Sequence, residues 1–128
     1  MAILGVGIDL VSIRRIVDLV RRRSAARLAH RILSSSELSG WQSRPFASSD
    51  ERIKFLAVRW AVKEAAYKAL YPTFRPTWKE LTYESFNRAT TQKPSLVYRA
   101  IKDSTFTLHV SVSHDGDYVV AQVLADSG

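Results

Sequence analysis

The chain has 128 residues, about one domain's length, and no cysteine, which excludes a disulfide framework, a thiolate metal site and a cysteine nucleophile. Apolar residues make up 46% and charged residues 24%, a balance that excludes wholesale disorder, and charges break every apolar stretch before the roughly 20 residues a bilayer crossing needs. Nineteen Lys and Arg against 12 Asp and Glu leave +7, which favours an anionic partner without choosing among nucleic acid, an anionic membrane, a phosphorylated small molecule and an acidic protein.

The opening MAILGVGIDL is an apolar run with two glycines, expected to be a buried strand that Asp9 closes. From Ser12, a candidate N-cap, Ile13, Ile16, Val17 and Val20 repeat at helical spacing among Arg14, Arg15, Asp18, Arg21 and Arg22, which predicts a basic amphipathic helix. Residues 14–36 are rich in Arg and Ser with Asp18 their only acid, the composition of an organelle transit peptide. A strand-like run precedes them, however, and Leu28, Ile32 and Leu33 continue a core pattern, so the segment is read as part of the fold. Ser34 and Glu37 have capping-box spacing for a short helix ending near Gly40 or Pro45. Ser48 and Glu51 repeat that spacing before the longest helix, whose Phe55, Val58, Ala61, Val62, Ala65, Ala66, Ala69 and Leu70 form an apolar face until Pro72. Between Pro72 and Pro94 only LTYESF reads as a strand. TFTLHVSVS alternates apolar with polar residues, YVVAQVLA is β-rich, and His114, Asp115, Gly116 and Asp117 between them predict a tight hairpin. No repeat or linker interrupts the chain, so residues 1–128 are expected to be one domain.

Taken one at a time, the candidate chemical residues have ordinary explanations. Asp9 after a strand is most simply a turn former or N-cap. Glu64 and Lys68 are four apart on a helix, a surface pair contributing roughly 0.3 to 0.5 kcal/mol. A partly buried Glu64 between alanines and beside Lys63, Lys68 and Trp60 nevertheless needs a reason. His114 follows the hydroxyl residues of SVSH, where imidazole and hydroxyls can donate to a phosphate, although a turn histidine is usually only solvated. A zinc pair of His109 and His114 has little support without Cys or helical spacing. No P-loop, G-x-G-x-x-G or G-x-S-x-G pattern occurs.

In combination, GVGIDLVSIRRI, FLAVRWAVKEAAYKAL and VSVSHDGDYVVAQV, in this order, resemble the 4'-phosphopantetheinyl transferases, and the short length resembles their holo-acyl-carrier-protein synthase branch. RILSSSEL and the QKP near residue 93 match as well. The resemblance implies an α+β fold with a long helix packed on an antiparallel sheet. It implies transfer of phosphopantetheine from coenzyme A to a serine of an apo acyl carrier protein, releasing adenosine 3',5'-bisphosphate. By the same resemblance Asp9 and Glu64 hold Mg²⁺, Lys68 neutralises the pyrophosphate, and Ser113 with His114 touches coenzyme A phosphate. Arg59 and Lys63 are weaker matches, either for the 3'-phosphate or for structural pairing. Glu64 is the candidate general base. Arg15, Arg27 and Arg31 match positions that grip the acidic carrier, with Arg22 and Arg23 assisting. A homotrimer is implied, with coenzyme A between subunits and His114 facing Asp9 and Glu64 of another chain.

One departure stands out: Tyr71, Pro72 and Thr73 occupy positions where that family usually has glycines, so the coenzyme-facing loop is expected to differ. The expected location is intracellular, cytoplasm or mitochondrial matrix. A competing class is a non-catalytic basic module binding RNA or DNA, supported by +7, three tryptophans and the arginine helix, but it leaves Asp9 and Glu64 unexplained.

Overall fold

The structure, a computed structural model, describes residues 2–85, 89–99 and 106–127; Phe86 and Thr105, each part of an expected strand, lie outside them. Strand β1 (Ala2–Ser12) pairs antiparallel with β5 (Tyr118–Ser127), which pairs antiparallel with β4 (Phe106–Asp115), giving the order β1-β5-β4. Two expectations for β1 are corrected. Asp9 does not end the strand, which runs on to Ser12, and the strand is buried on one face only. In the pairing register, Gly5, Gly7, Asp9 and Val11 share a face with Ala125, Val123, Ala121 and Val119 of β5. Val6, Ile8 and Leu10 point the other way and are exposed.

The basic segment forms two helices, α1 (Ile13–Arg23) and α2 (Ala25–Ile32), because Ser24 breaks it. Ser24 adopts φ 129°, which side chains other than glycine rarely take, and its hydroxyl caps α2 by accepting from the Arg27 N–H at 3.1 Å. Ser12 occupies the N-cap position of α1 but makes no side-chain cap. Helix α3 (Ser35–Ser43) has the expected capping box, with Glu37 accepting from Ser34 N and Ser34 Oγ accepting from Glu37 N. At the start of α4 (Ser49–Leu70) the box is half made: Ser48 accepts from Glu51 N, while the Glu51 carboxylate accepts from Ala47 N instead.

The rest of the chain completes the frame. A 3₁₀ turn (Trp78–Glu80) leads into β2 (Leu81–Glu84), which pairs with β3 (Ser95–Tyr98) in a second, two-stranded sheet. The sequence does not announce β3, whose four residues are too few to establish a period. In the β4–β5 hairpin His114 and Asp115 belong to the strand, leaving a two-residue loop in which Gly116 takes φ 56°.

Helix α4 lies on the sheet face carrying Gly5, Gly7 and the buried Val119, Ala121, Val123 and Ala125. Its Ala61, Val62, Ala65, Ala66, Ala69 and Leu70 are buried, as the apolar face requires. The two glycines let the helix backbone approach. A Cβ at Gly7 would stand 1.9 Å from the Ala65 carbonyl oxygen, and one at Gly5 would stand 2.1 Å from that of Ala69. Both obstacles are main chain and cannot rotate away. Gly7→Ala should therefore cost about 3 kcal/mol of stability, read as a lower urea midpoint; a midpoint unchanged from the parent would contradict this packing.

Candidate active site

Residues 5, 7 and 9 share one face of β1, so the glycines that admit α4 also aim Asp9 at it. On the helix, Glu64 and Lys68 are one turn apart. The Lys68 ammonium donates to Asp9 Oδ1 at 3.1 Å and to the Ile8 carbonyl at 2.9 Å, which leaves its third proton for a ligand. Lys68 is half exposed, whereas the Asp9 side chain is only 16% exposed, so the pair opens to solvent from the lysine side. Burial raises the Glu64 carboxyl above its ordinary value of 4.5, and the neighbouring Asp9 charge raises it further; Lys68 and then Arg15 oppose the shift. Thus Asp9, Glu64 and Lys68 converge within one chain.

The donor set suits a small hard cation. Among the described residues there is no group of three or more His, Cys, Asp or Glu side chains placed to hold a metal. Asp9 and Glu64 instead form a pair of carboxylates close enough to repel, with Lys68 and Arg15 as the opposing charges. Two oxygen donors with the remaining positions open to phosphate and water are the arrangement Mg²⁺ favours.

Arg59 and Lys63 sit on the far side of α4 from solvent, in a cluster the sequence does not announce. Lys63, 2% exposed, donates to the Ile32 carbonyl at 2.6 Å, to Glu37 Oε1 at 2.5 Å and to the Trp78 carbonyl at 2.9 Å. All three ammonium protons are taken, which fits structural pairing, one of the two alternatives expected for Lys63. Glu37 also accepts from Tyr83 N at 3.1 Å and stands 3.9 Å from Arg59 Nε. The buried Arg59 guanidinium lies 3.5 Å from the Phe55 ring centroid. Burial lowers its pKa to about 10, Glu37 and Tyr83 opposing the shift and Arg44 adding to it, so it stays charged at neutral pH. Burial likewise lowers Lys63, with Glu37 opposing.

Ser113 and His114 lie on β4, separated from β1 by β5, and the structure does not join them to the Asp9 cluster within the chain. His114 lines a cavity of about 360 Å³ that also contains Arg44, Lys54 and Arg59. Ser113 points to the opposite sheet face. Arg27 and Arg31 on α2, with Arg22 and Arg23 on α1, surround a cavity of about 310 Å³ floored by Leu19, Leu28 and Trp60. Arg15 stands apart from that cavity, its guanidinium 5.7 Å from the Trp60 ring centroid and near enough to Glu64 to lower its pKa. A further cavity of about 430 Å³ beside Glu64 is lined by Tyr67, Pro76, Trp78 and Leu81. In the departing segment Tyr71 is exposed and stacks on Tyr67 at 5.7 Å.

A raised Glu64 binds more protons when folded than when unfolded, so without divalent ions stability falls as pH rises from 4.5 through its folded pKa. Glu64→Gln removes that slope. Urea titrations in chelator from pH 4.5 to 8 should show the variant gaining on the parent toward high pH; parallel curves would contradict the coupling of Glu64 to Asp9 and to burial.

The chain resembles known proteins over nearly its whole length. The family model described as the 4'-phosphopantetheinyl transferase superfamily matches residues 5–123. A holo-[acyl-carrier-protein] synthase of Hamiltonella defensa is 36% identical over 132 residues, covering 98% of this chain and 99% of the relative. The crystal structure of holo-[acyl-carrier-protein] synthase from Neisseria meningitidis matches with a TM-score of 0.79 at 27% identity, over 98% of this chain and 100% of that one. A holo-(acyl-carrier-protein) synthase from Bacillus anthracis in complex with CoA (3',5'-ADP) matches with a TM-score of 0.75 at 25% identity, over 98% of each chain. With a family model spanning residues 5–123 and a relative 36% identical over 98% of its length, the chain belongs to the 4'-phosphopantetheinyl transferase superfamily.

Proposed function

We propose that this protein transfers 4'-phosphopantetheine from coenzyme A to a serine of an apo acyl carrier protein, releasing adenosine 3',5'-bisphosphate, and that residues 1–128 act as one domain. The observation that carries this is the convergence of Asp9, Glu64 and Lys68, 59 residues apart in sequence between Asp9 and Lys68, with Glu64 lining a cavity of about 430 Å³. The serine oxygen forms a bond to the phosphorus bearing the pantetheine arm, the pyrophosphate bridge breaks, and the adenosine bisphosphate leaves with the electron pair.

Asp9 and Glu64 hold Mg²⁺, which when bound offsets negative charge on the pyrophosphate. The remaining proton of Lys68 meets a phosphate oxygen. Glu64, at the same place, is the group that takes the serine proton. Arg59 and His114, lining one cavity with Arg44 and Lys54, receive the 3'-phosphate end, while Ser113 contacts coenzyme A from a second cavity that it lines with Leu10, His114 and Tyr118. The apolar floor and arginine rim near Arg27 and Arg31, with Arg15 beside Trp60, suit a helix of an acidic carrier.

We also infer a homotrimer. The sheet face away from α4 exposes Val6, Ile8 and Leu10 side by side, with Tyr118 nearby, an apolar band that further copies of the chain would cover. Since β5 and the core keep His114 from its own Asp9, a neighbouring copy supplies the histidine that completes each coenzyme site. No helix among the described residues is long and apolar enough to cross a membrane, and a reducing intracellular compartment, cytoplasm or mitochondrial matrix, suits the reaction. A nucleic-acid module would leave the Asp9, Glu64 and Lys68 cluster without a role.

Incubating the purified protein with apo carrier, coenzyme A and Mg²⁺ should add one phosphopantetheine by intact mass. Asp9→Ala and Glu64→Ala should abolish the adduct while circular dichroism stays unchanged. Absence of adduct with the parent protein, together with tight, salt-sensitive DNA or RNA binding, would favour the module instead. Ile8→Asp should convert trimers to monomers in analytical ultracentrifugation and weaken coenzyme A binding at least about tenfold; a monomeric parent would refute the assembly.

A further inference from the structure

We propose that Lys63 is a positioning residue for transfer and that it acts through Trp78. The inference rests on the reading that Glu64 works at the reacting centre and that the arginine cavity receives the carrier.

Lys63 immediately precedes Glu64 on α4, and its three hydrogen bonds reach three separate elements: the end of α2 at Ile32, α3 at Glu37, and the 3₁₀ turn at Trp78. A buried charge is a poor choice if stability is the only requirement, because well-packed apolar residues often serve as well. An ammonium does offer direction. Its bond to the Trp78 carbonyl fixes the main chain from which the Trp78 ring projects, and that ring packs against Trp60 at 5.1 Å between centroids.

This ring pair lies between two cavities. Trp60, one turn before Glu64, floors the cavity of Arg22, Arg23, Arg27 and Arg31. Trp78 lines the cavity that contains Glu64. Arg15 also lies over the Trp60 ring, 5.7 Å from its centroid. A carrier seated on the arginines must present its serine past this two-ring wall to reach Glu64, so the position of the wall sets the distance between nucleophile and base. Lys63 joins that wall to the helix that bears Glu64, and through Ile32 it ties in the helix that bears Arg27 and Arg31. A misplacement of about 1 Å at such a junction costs on the order of 100-fold in rate.

The test compares Lys63→Met and Trp78→Leu with the parent protein, using apo carrier, coenzyme A and Mg²⁺. Both variants should lose roughly 10- to 100-fold in kcat and keep the calorimetric Kd for coenzyme A within about twofold. Both should also lose the exciton couplet that a close tryptophan pair gives in far-ultraviolet circular dichroism. The parent's kcat in either folded variant would overturn the proposal, as would a coenzyme A affinity that falls in step with kcat, or a couplet that survives Lys63→Met. If Lys63→Met does not fold, the kcat of Trp78→Leu decides alone. A parent protein with no transfer activity would instead defeat the functional reading, and the couplet would still report whether Lys63 holds Trp78.

Discussion

The contact on which this protein depends is that of two backbones. Helix α4 lies so close to β1 that no side chain fits at Gly5 or Gly7, where the obstacles are the Ala65 and Ala69 carbonyl oxygens. That separation places Lys68 over Ile8 and Asp9, and it brings Glu64 within electrostatic reach of Asp9. A larger residue at either glycine would lift the helix and part the two halves of the site. The alanines of α4 and the glycines of β1 are therefore as much a condition of the chemistry as the charged residues themselves.

Around this contact the charges fall into two groups with different work. The outer group, Asp9, Glu64 and Lys68, is partly solvated and mixes acids with a cation, which suits it to a metal ion and an anionic substrate. The inner pair of Glu37 and Lys63 is buried and hydrogen-bonded, and it joins α2, α3, α4 and β2, with the buried Arg59 3.9 Å from Glu37. Lys63 and Glu64 are adjacent in sequence and belong to different groups, because successive helical residues point about 100° apart. A short run of charged residues on α4 thus serves both the framework and the site.

The exposed apolar band on β1 follows from the same geometry. With α4 covering one face of the three-stranded sheet, Val6, Ile8 and Leu10 lie on the other, exposed among the described residues. Covering that face would remove apolar surface from water.

Much of this was legible from residue order alone. The period of α4, its stop at Pro72, the capping box of α3 and the alternation in β4 are local signals, set by hydrogen-bond geometry over a few residues. The motifs around Asp9, Glu64 and Lys68 also pointed to their chemistry through family resemblance. Short-range pattern could not show that β1 continues past Asp9, that Ser24 divides the arginine helix, or that SLVY forms β3, because pairing partners and backbone strain decide each of these. Nor could it show that Lys63 turns inward. Sequence determined which groups are present and which helical or strand face each occupies. Only the tertiary structure decided which charges meet and which are spent on the core, because desolvation and Coulomb energy depend on distances between elements far apart along the chain.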